Sequence, residues 1–206
     1  MPDITTIIFD FGGVLIHWDP RNLYRRFFAS SGEMEHFLAE VKFAEWNSMQ
    51  DRGRPFVEGV AELSAQFPQH EHLIRAYHEY WEESVGEPIL GTIEILRKLK
   101  ALHYPVYGLS NWSGETFPRI RARHRFFELL DDYLISGDAR VAKPDPAIFG
   151  LLLDRIGRKA EECIFVDDSL ANIEAARALG FACIHFQSPS QLEEQLWQLR
   201  IFQEMQ

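Results

Sequence analysis

The chain has 206 residues, more than one typical domain of about 150 and fewer than two, so one domain with a sizeable insertion is expected. With 46% hydrophobic and 25% charged residues its composition is that of a globular protein, which excludes disordered and fibrous classes. A formal net charge of −10 argues against nucleic acid or an anionic membrane surface as the main partner, though not against a local anion site. The two cysteines, Cys163 and Cys183, sit in apolar runs without CxxC spacing and read as small buried hydrophobes rather than a disulfide framework. The amino-terminal stretch lacks a basic region and its apolar run ends at Asp10, so it does not read as a secretory leader. No run approaches the roughly 20 apolar residues of a membrane span. A cytoplasmic location is expected.

Residues 4–9 form a short apolar, β-branched run that ends in Asp10 and is followed by Gly12 and Gly13, a buried strand entering a tight turn. Residues 19–86 show only helical periodicity. Leu23, Phe27 and Phe28 form one stripe and Phe37, Leu38 and Val41 another; Phe56, Val60, Leu63 and Phe67 recur at helical steps, as do Leu73, Tyr77 and Trp81. Four helices and no strand are expected there, a small bundle. After Pro88 the pattern alternates. A helix over 90–102 precedes a strand at 106–109, and a strand at 133–136 precedes a helix ending at Gly157. A strand at 164–166 then leads to a helix stopped by Gly180, a last strand at 182–186 and a closing amphipathic helix. Strand–helix alternation with fully apolar strands predicts a parallel sheet covered on both faces. The fold class is therefore α/β: a Rossmann-like core over residues 1–16 and 87–206, with a four-helix bundle over 17–86 inserted after the first strand.

In such sheets ligands bind outside the carboxyl ends of the strands. Chemistry-bearing residues gather at these ends: Asp10 after the first strand, Ser110 and Asn111 after the second, Asp167 and Asp168 after the fourth, with Lys143 in the loop after the third. Three crowded carboxylates call for a hard divalent cation, and Mg²⁺ suits an all-oxygen site. An aspartate can attack phosphorus, but two like charges about 4 Å apart cost about 4 kcal/mol at an effective dielectric near 20. A cation and the Lys143 ammonium offset that repulsion, while Ser110, Asn111 and backbone amides hold phosphate oxygens. Trp112 and the bundle residue Trp46 are the expected aromatic walls of the substrate site; the other aromatics of the insertion read as bundle core.

The segments FDFGGVL from Phe9, Leu109-Ser110-Asn111, Lys143-Pro144 and VDDSLAN from Val166 resemble, in order, the four motifs of the haloacid dehalogenase-like superfamily. The resemblance spans the chain and places the helical insert where that family carries a type-one cap. Arg52-Gly53 and the DDxxxN pattern are similar to the α-D-glucose-1-phosphate phosphatase subgroup. The resemblance implies Asp10 as nucleophile and Mg²⁺ held by Asp10, the Gly12 carbonyl and Asp168 with Asp167 nearby. It further implies Ser110 and Lys143 on the phosphate, and Asn172 as support. A phosphatase acting on a small phosphorylated metabolite is expected, with a non-catalytic phosphometabolite binder or a metal-independent 2-haloacid dehalogenase as alternatives.

One position departs from the pattern. Most phosphatases of the family carry a second aspartate two residues after the nucleophile, a proton donor to the leaving alcohol, and here that position is Gly12. His17 and Asp19, on the path into the cap, could reach back, although both read as hinge residues. An anomeric hydroxyl is comparatively acidic and depends less on such a donor, so hexose 1-phosphates are expected to react faster than hexose 6-phosphates.

Overall fold

The computed structural model describes residues 4–202; residues 1–3 and 203–206 of the expected core lie outside it. Seven strands occur in chain order among the described residues: β1 (Thr6–Phe9), β2 (Ile16–Trp18), β3 (Val85–Pro88), β4 (Val106–Ser110), β5 (Asp132–Ile135), β6 (Cys163–Asp167) and β7 (Ala182–His185). Five of them make one sheet in the order β5-β4-β1-β6-β7, every pair parallel. All residues of β1 and β6 are buried, which is why these strands read as unbroken apolar runs. Alternate side chains feed opposite faces of the sheet: Ile7, Phe9, Ile164 and Val166 enter one core cluster, Ile8, Cys163 and Phe165 the other.

The order of the strands decides where a ligand fits. From β1 the chain passes through the helical segment to β4 and outward to β5, then returns to β6 on the other side of β1. The connections thus diverge on either side of β1, and the crevice lies at the carboxyl ends of β1, β4 and β6.

Between β2 and β3 the chain is mainly helical. Four helices of nine or more residues are present as expected: Ser31–Glu40, Phe43–Asp51, Phe56–Gln66 and Glu71–Glu79. A five-residue helix, Pro20–Tyr24, precedes them. The expectation of no strand is corrected. β2 and β3 pair antiparallel, with Ile16 opposite Pro88 and Trp18 opposite Val85, and this ribbon carries the chain into and out of the helices. At three and four residues, one strand with two exposed positions and the other containing Gly and Pro, neither strand has a periodic signature. Tyr77 centres the helical core, its ring meeting those of Tyr24, Phe43, Trp46 and Phe56. Among the described residues no helix is long and apolar enough to cross a membrane.

Candidate active site

Asp10 follows the central strand, and its backbone N–H donates to the Val166 carbonyl of β6 at 2.9 Å. The turn beyond it is tight because the Phe11 carbonyl accepts from the amides of Val14, Leu15 and Ile16. Gly13 adopts φ +75° there, a conformation natural to glycine. The Asp10 carboxylate is fixed through Oδ1, which accepts from the Phe11 amide at 2.6 Å and lies 3.0 Å from Lys143 Nζ. Burial pushes this carboxyl up to about 7; the Lys143 ammonium opposes that rise and Asp167 adds to it.

Lys143 is wholly enclosed, with none of its side chain exposed. Its ammonium donates to the Leu109 carbonyl and to Asp167 Oδ2, both at 2.7 Å, besides facing Asp10. The three donors of the ammonium are thereby matched by three oxygens. Desolvation alone would lower its pKa, but the Asp10 and Asp167 charges more than reverse this, and the group stays charged. Lys143 therefore stands behind Asp10 and does not line the cavity in front of it. Asn111 locks the loop that brings Lys143 in, its Nδ2 donating to the Lys143 carbonyl and its Oδ1 accepting from the Lys143 amide, each at 2.9 Å. The Asn111 side-chain amide makes this bidentate clamp, and the residue also lines the cavity in front of Asp10.

Asp167 is fully buried and saturated. Ser169 N–H donates to Oδ1 at 2.8 Å, and Asn172 Nδ2 reaches both oxygens at 3.0 and 3.1 Å. Asp168, next in the chain, is exposed and lies against the turn after β1. A Cβ on Gly13 would stand 2.2 Å from Asp168 Oδ2, whereas a Cβ on Gly12 would meet nothing within 4 Å. Desolvation, then the Asp167 charge, raises the Asp168 carboxyl.

The donor set fits a hard divalent cation. Oxygens of Asp10, Asp167 and Asp168 come within 4.8 Å of one another, and among these four residues one lysine balances three carboxylates. Because the Asp167 oxygens are engaged by Lys143, Ser169 and Asn172, Asp10 and Asp168 are the carboxylates with capacity for a metal.

A cavity of about 290 Å³ opens in front of Asp10. Asp10, Gly12, Gly13, Ser110, Asn111, Trp112 and Asp168 supply its core side, and Trp18, Asn47, Asp51 and Trp81 close it from the ribbon and the helices. Trp112 lines it as expected and packs against Trp81 at 5.6 Å between rings. The expectation for Trp46 is corrected: it is 6% exposed, donates its indole N–H to the Gly59 carbonyl at 2.8 Å and belongs to the helical core. Its apolar neighbours Phe43, Phe56 and Tyr77 draw the ring inward. Asp19 is a helix cap, accepting from the Arg21 amide at 2.9 Å, and neither it nor His17 lines the cavity. Sequence reasoning missed Trp18, Asn47, Asp51 and Trp81. For Asp51 a signal existed, since it immediately precedes the Arg52-Gly53 pair.

A parallel sheet with its connections diverging around a central strand, ending in a lysine-held aspartate, defines an α/β protein of the Rossmann-like class. A model of the haloacid dehalogenase-like hydrolase family matches residues 4–180, and the chain belongs to that family. Among curated proteins it is similar to the sesquiterpene phosphatase astK of Aspergillus oryzae, 28% identical over 183 residues that cover 86% of this chain and 87% of that protein. It is also 33% identical over 88 residues to (S)-2-haloacid dehalogenase 4A of Burkholderia cepacia, covering 43% of this chain and 38% of that one. Its fold resembles that of a HAD family enzyme of Bacteroides thetaiotaomicron crystallised with magnesium and inorganic phosphate. The TM-score is 0.67 at 23% identity, covering 90% of this chain and 95% of that one.

Proposed function

We propose that this hydrolase is a Mg²⁺-dependent phosphatase that cleaves a small phosphomonoester through an aspartyl-phosphate on Asp10. The observation that carries the reading is the pair of donors on Asp10 Oδ1, the Phe11 amide and the Lys143 ammonium. With one oxygen held, the carboxylate presents the other to the cavity in a fixed orientation, as nucleophilic attack requires.

Each neighbour then has a task. Lys143 favours the ionised form of Asp10 against its burial, and Asn111 keeps Lys143 in place. The Ser110 hydroxyl, at the end of β4, donates to a phosphate oxygen. Asp167, oriented by Asn172, spreads the lysine charge between two carboxylates. Asp10, Asp168 and the Gly12 carbonyl would hold Mg²⁺, which supplies positive charge against the incoming phosphate dianion. Residues 17–86 act as the cap, and Trp18, Trp81 and Trp112 exclude bulk water and offer apolar faces to the leaving group. A sugar phosphate such as glucose 1-phosphate presents a matching C–H face, and a cavity of about 290 Å³ limits the substrate to small esters.

The dehalogenase reading meets the acidic cluster. A 2-haloacid brings its own carboxylate toward Asp10 and Asp168, and a metal-free displacement of halide by Asp10 gives the Asp168 charge no task. The similarity to the phosphatase of Aspergillus oryzae also spans about twice as much of this chain as that to the dehalogenase.

A phosphate-release screen over sugar, prenyl, nucleotide and acyl phosphates, with Mg²⁺ and with chelator, tests the proposal. Turnover that needs Mg²⁺ and disappears in Asp10→Asn is expected. Halide release from a 2-haloacid that survives chelation would replace this reading with the dehalogenase, and tight phosphosugar binding without turnover would replace it with a binder.

A further inference from the structure

The site as described lacks a source for the proton that an alkoxide leaving group needs. Gly12 carries no side chain, and the Asp19 carboxylate is occupied at the start of the Pro20–Tyr24 helix. Three titratable side chains line the cavity: Asp10, Asp168 and Asp51. The first two form the acidic cluster on the core side. Asp51 stands alone, at the end of the Phe43–Asp51 helix of the cap.

Its position is built rather than incidental. The Ser136 hydroxyl of the core donates to the Asp51 carbonyl, and Ser136 Oγ also accepts from the Trp112 amide at 2.9 Å, so the end of this cap helix is tied to the cavity wall. Two residues on, Gly53 adopts φ +91° and presses against the core so closely that a Cβ there would be 2.7 Å from the Gly137 carbonyl. The side chain is oriented too. Asn47 Nδ2 donates to Asp51 Oδ2 at 3.0 Å, Asn47 Oδ1 accepts from the Tyr77 hydroxyl at 3.0 Å, and the Ser113 amide donates to the same carboxyl. Among the described residues no cation pairs with it.

We infer that Asp51 is the acid of the reaction, delivering a proton from the cap side of the cavity to the leaving oxygen in place of the side chain absent at Gly12. The inference rests on the phosphatase reading. As the bond from Asp10 to phosphorus forms and the ester P–O bond breaks, the Asp51 proton passes to the departing oxygen, giving a neutral alcohol and an Asp51 carboxylate. In the second half water attacks the aspartyl-phosphate. Its hydroxide part goes to phosphorus, its proton returns to Asp51, and Asp10 is released as carboxylate. Burial pushes the Asp51 carboxyl up to about 7, which keeps a large share of it protonated at neutral pH and lets it accept the proton back.

The test compares Asp51→Asn with wild type on two esters, 4-nitrophenyl phosphate, whose phenolate leaves without a proton, and an alkyl phosphate turned over by the wild type. The expected loss in kcat/KM is about 10²- to 10⁴-fold on the alkyl ester and less than about threefold on the aryl ester. In the double variant Gly12→Asp/Asp51→Asn, activity on the alkyl ester is expected to recover in part, because the space at position 12 is open. Equal losses on both esters, or no loss on either, would overturn the inference while leaving the phosphatase reading intact. A wild type that releases phosphate from no ester would overturn that reading itself. Should Asp51→Asn not fold, the wild type carries the test: a shallow dependence of kcat/KM on leaving-group pKa is expected, and a steep one refutes a proton donor.

Discussion

Lys143 Nζ lies 3.0 Å from Asp10 Oδ1, and the two side chains are 0% and 11% exposed. A buried cation this close to the proposed nucleophile is held by what surrounds it, and removing it leaves Asp10 and Asp167 facing each other without compensation. Breaking a buried pair from one side costs about 3–5 kcal/mol. Lys143→Met, which keeps the length of the side chain, is therefore expected to lose about that much in denaturant unfolding. Turnover should fall by at least about 100-fold, because Asp10 becomes protonated. A variant of wild-type stability would show that the ammonium does not balance the cluster.

Gly13 gives a different signature. Its φ of +75° and the Asp168 Oδ2 at 2.2 Å from a would-be Cβ make any side chain there collide with the carboxylate. Asp168 is exposed and can swing away, so Gly13→Ala should cost only about 1–2 kcal/mol of stability. The proposed metal site would suffer more. The Mg²⁺ concentration for half-maximal activity is expected to rise at least about tenfold, measured by titrating phosphate release.

Asn172 donates to both oxygens of Asp167 at 3.0 and 3.1 Å. Asn172→Ala removes the group that stops Asp167 from rotating on Lys143. A loss of about 10- to 100-fold in activity is expected, of the size seen when groups that orient ligands are removed, with only about 1 kcal/mol in stability, because Ser169 and Lys143 still donate to the two Asp167 oxygens. Equal Mg²⁺ and substrate dependence in variant and wild type would refute that role.

Asp51 makes a prediction about pH that needs no substrate. Its carboxyl is raised from the ordinary 3.8 to about 7 by burial, so the folded chain binds this proton more tightly than the unfolded chain. Folded-state stability from this group is complete below about pH 4 and declines as pH rises through 7. Tyr77 is the other titratable group coupled to it and stays neutral throughout, its pKa well above the usual value. Replacing Asp51 by Asn removes the decline. Relative to wild type, the variant should gain about 1–2 kcal/mol between pH 4 and pH 8, below the limit of about 4 set by the full shift. The pH-independent cost of the substitution cancels in this comparison. A difference between the two proteins that does not change with pH would show that Asp51 titrates normally.

The core strands were legible in sequence because burial on both faces forces continuous apolar runs, and the helices because a one-sided core forces three- and four-residue steps. The β2–β3 ribbon was not, since its pairing is set by two segments far apart in the chain that carry no alternation of their own. Among the site residues, Asp10, Ser110 and Asp168 could be placed from strand ends alone. The environment of Lys143 could not, because its three oxygen partners come from β4, β6 and the end of β1.

By itself the sequence determined a parallel α/β core, a helical insertion and the gathering of acids at the carboxyl edge, all of which follow from periodicity and strand polarity. Only the tertiary structure decided which tryptophan packs in the helices and which faces the cavity, and that Asp51 meets the core across it. Side chains on the helices between β2 and β3 acquire a direction only through contacts with the sheet core, such as Ser136 with Asp51 and Gly53 with Gly137. Contacts of that kind, between segments more than 80 residues apart, leave no periodic trace in the chain.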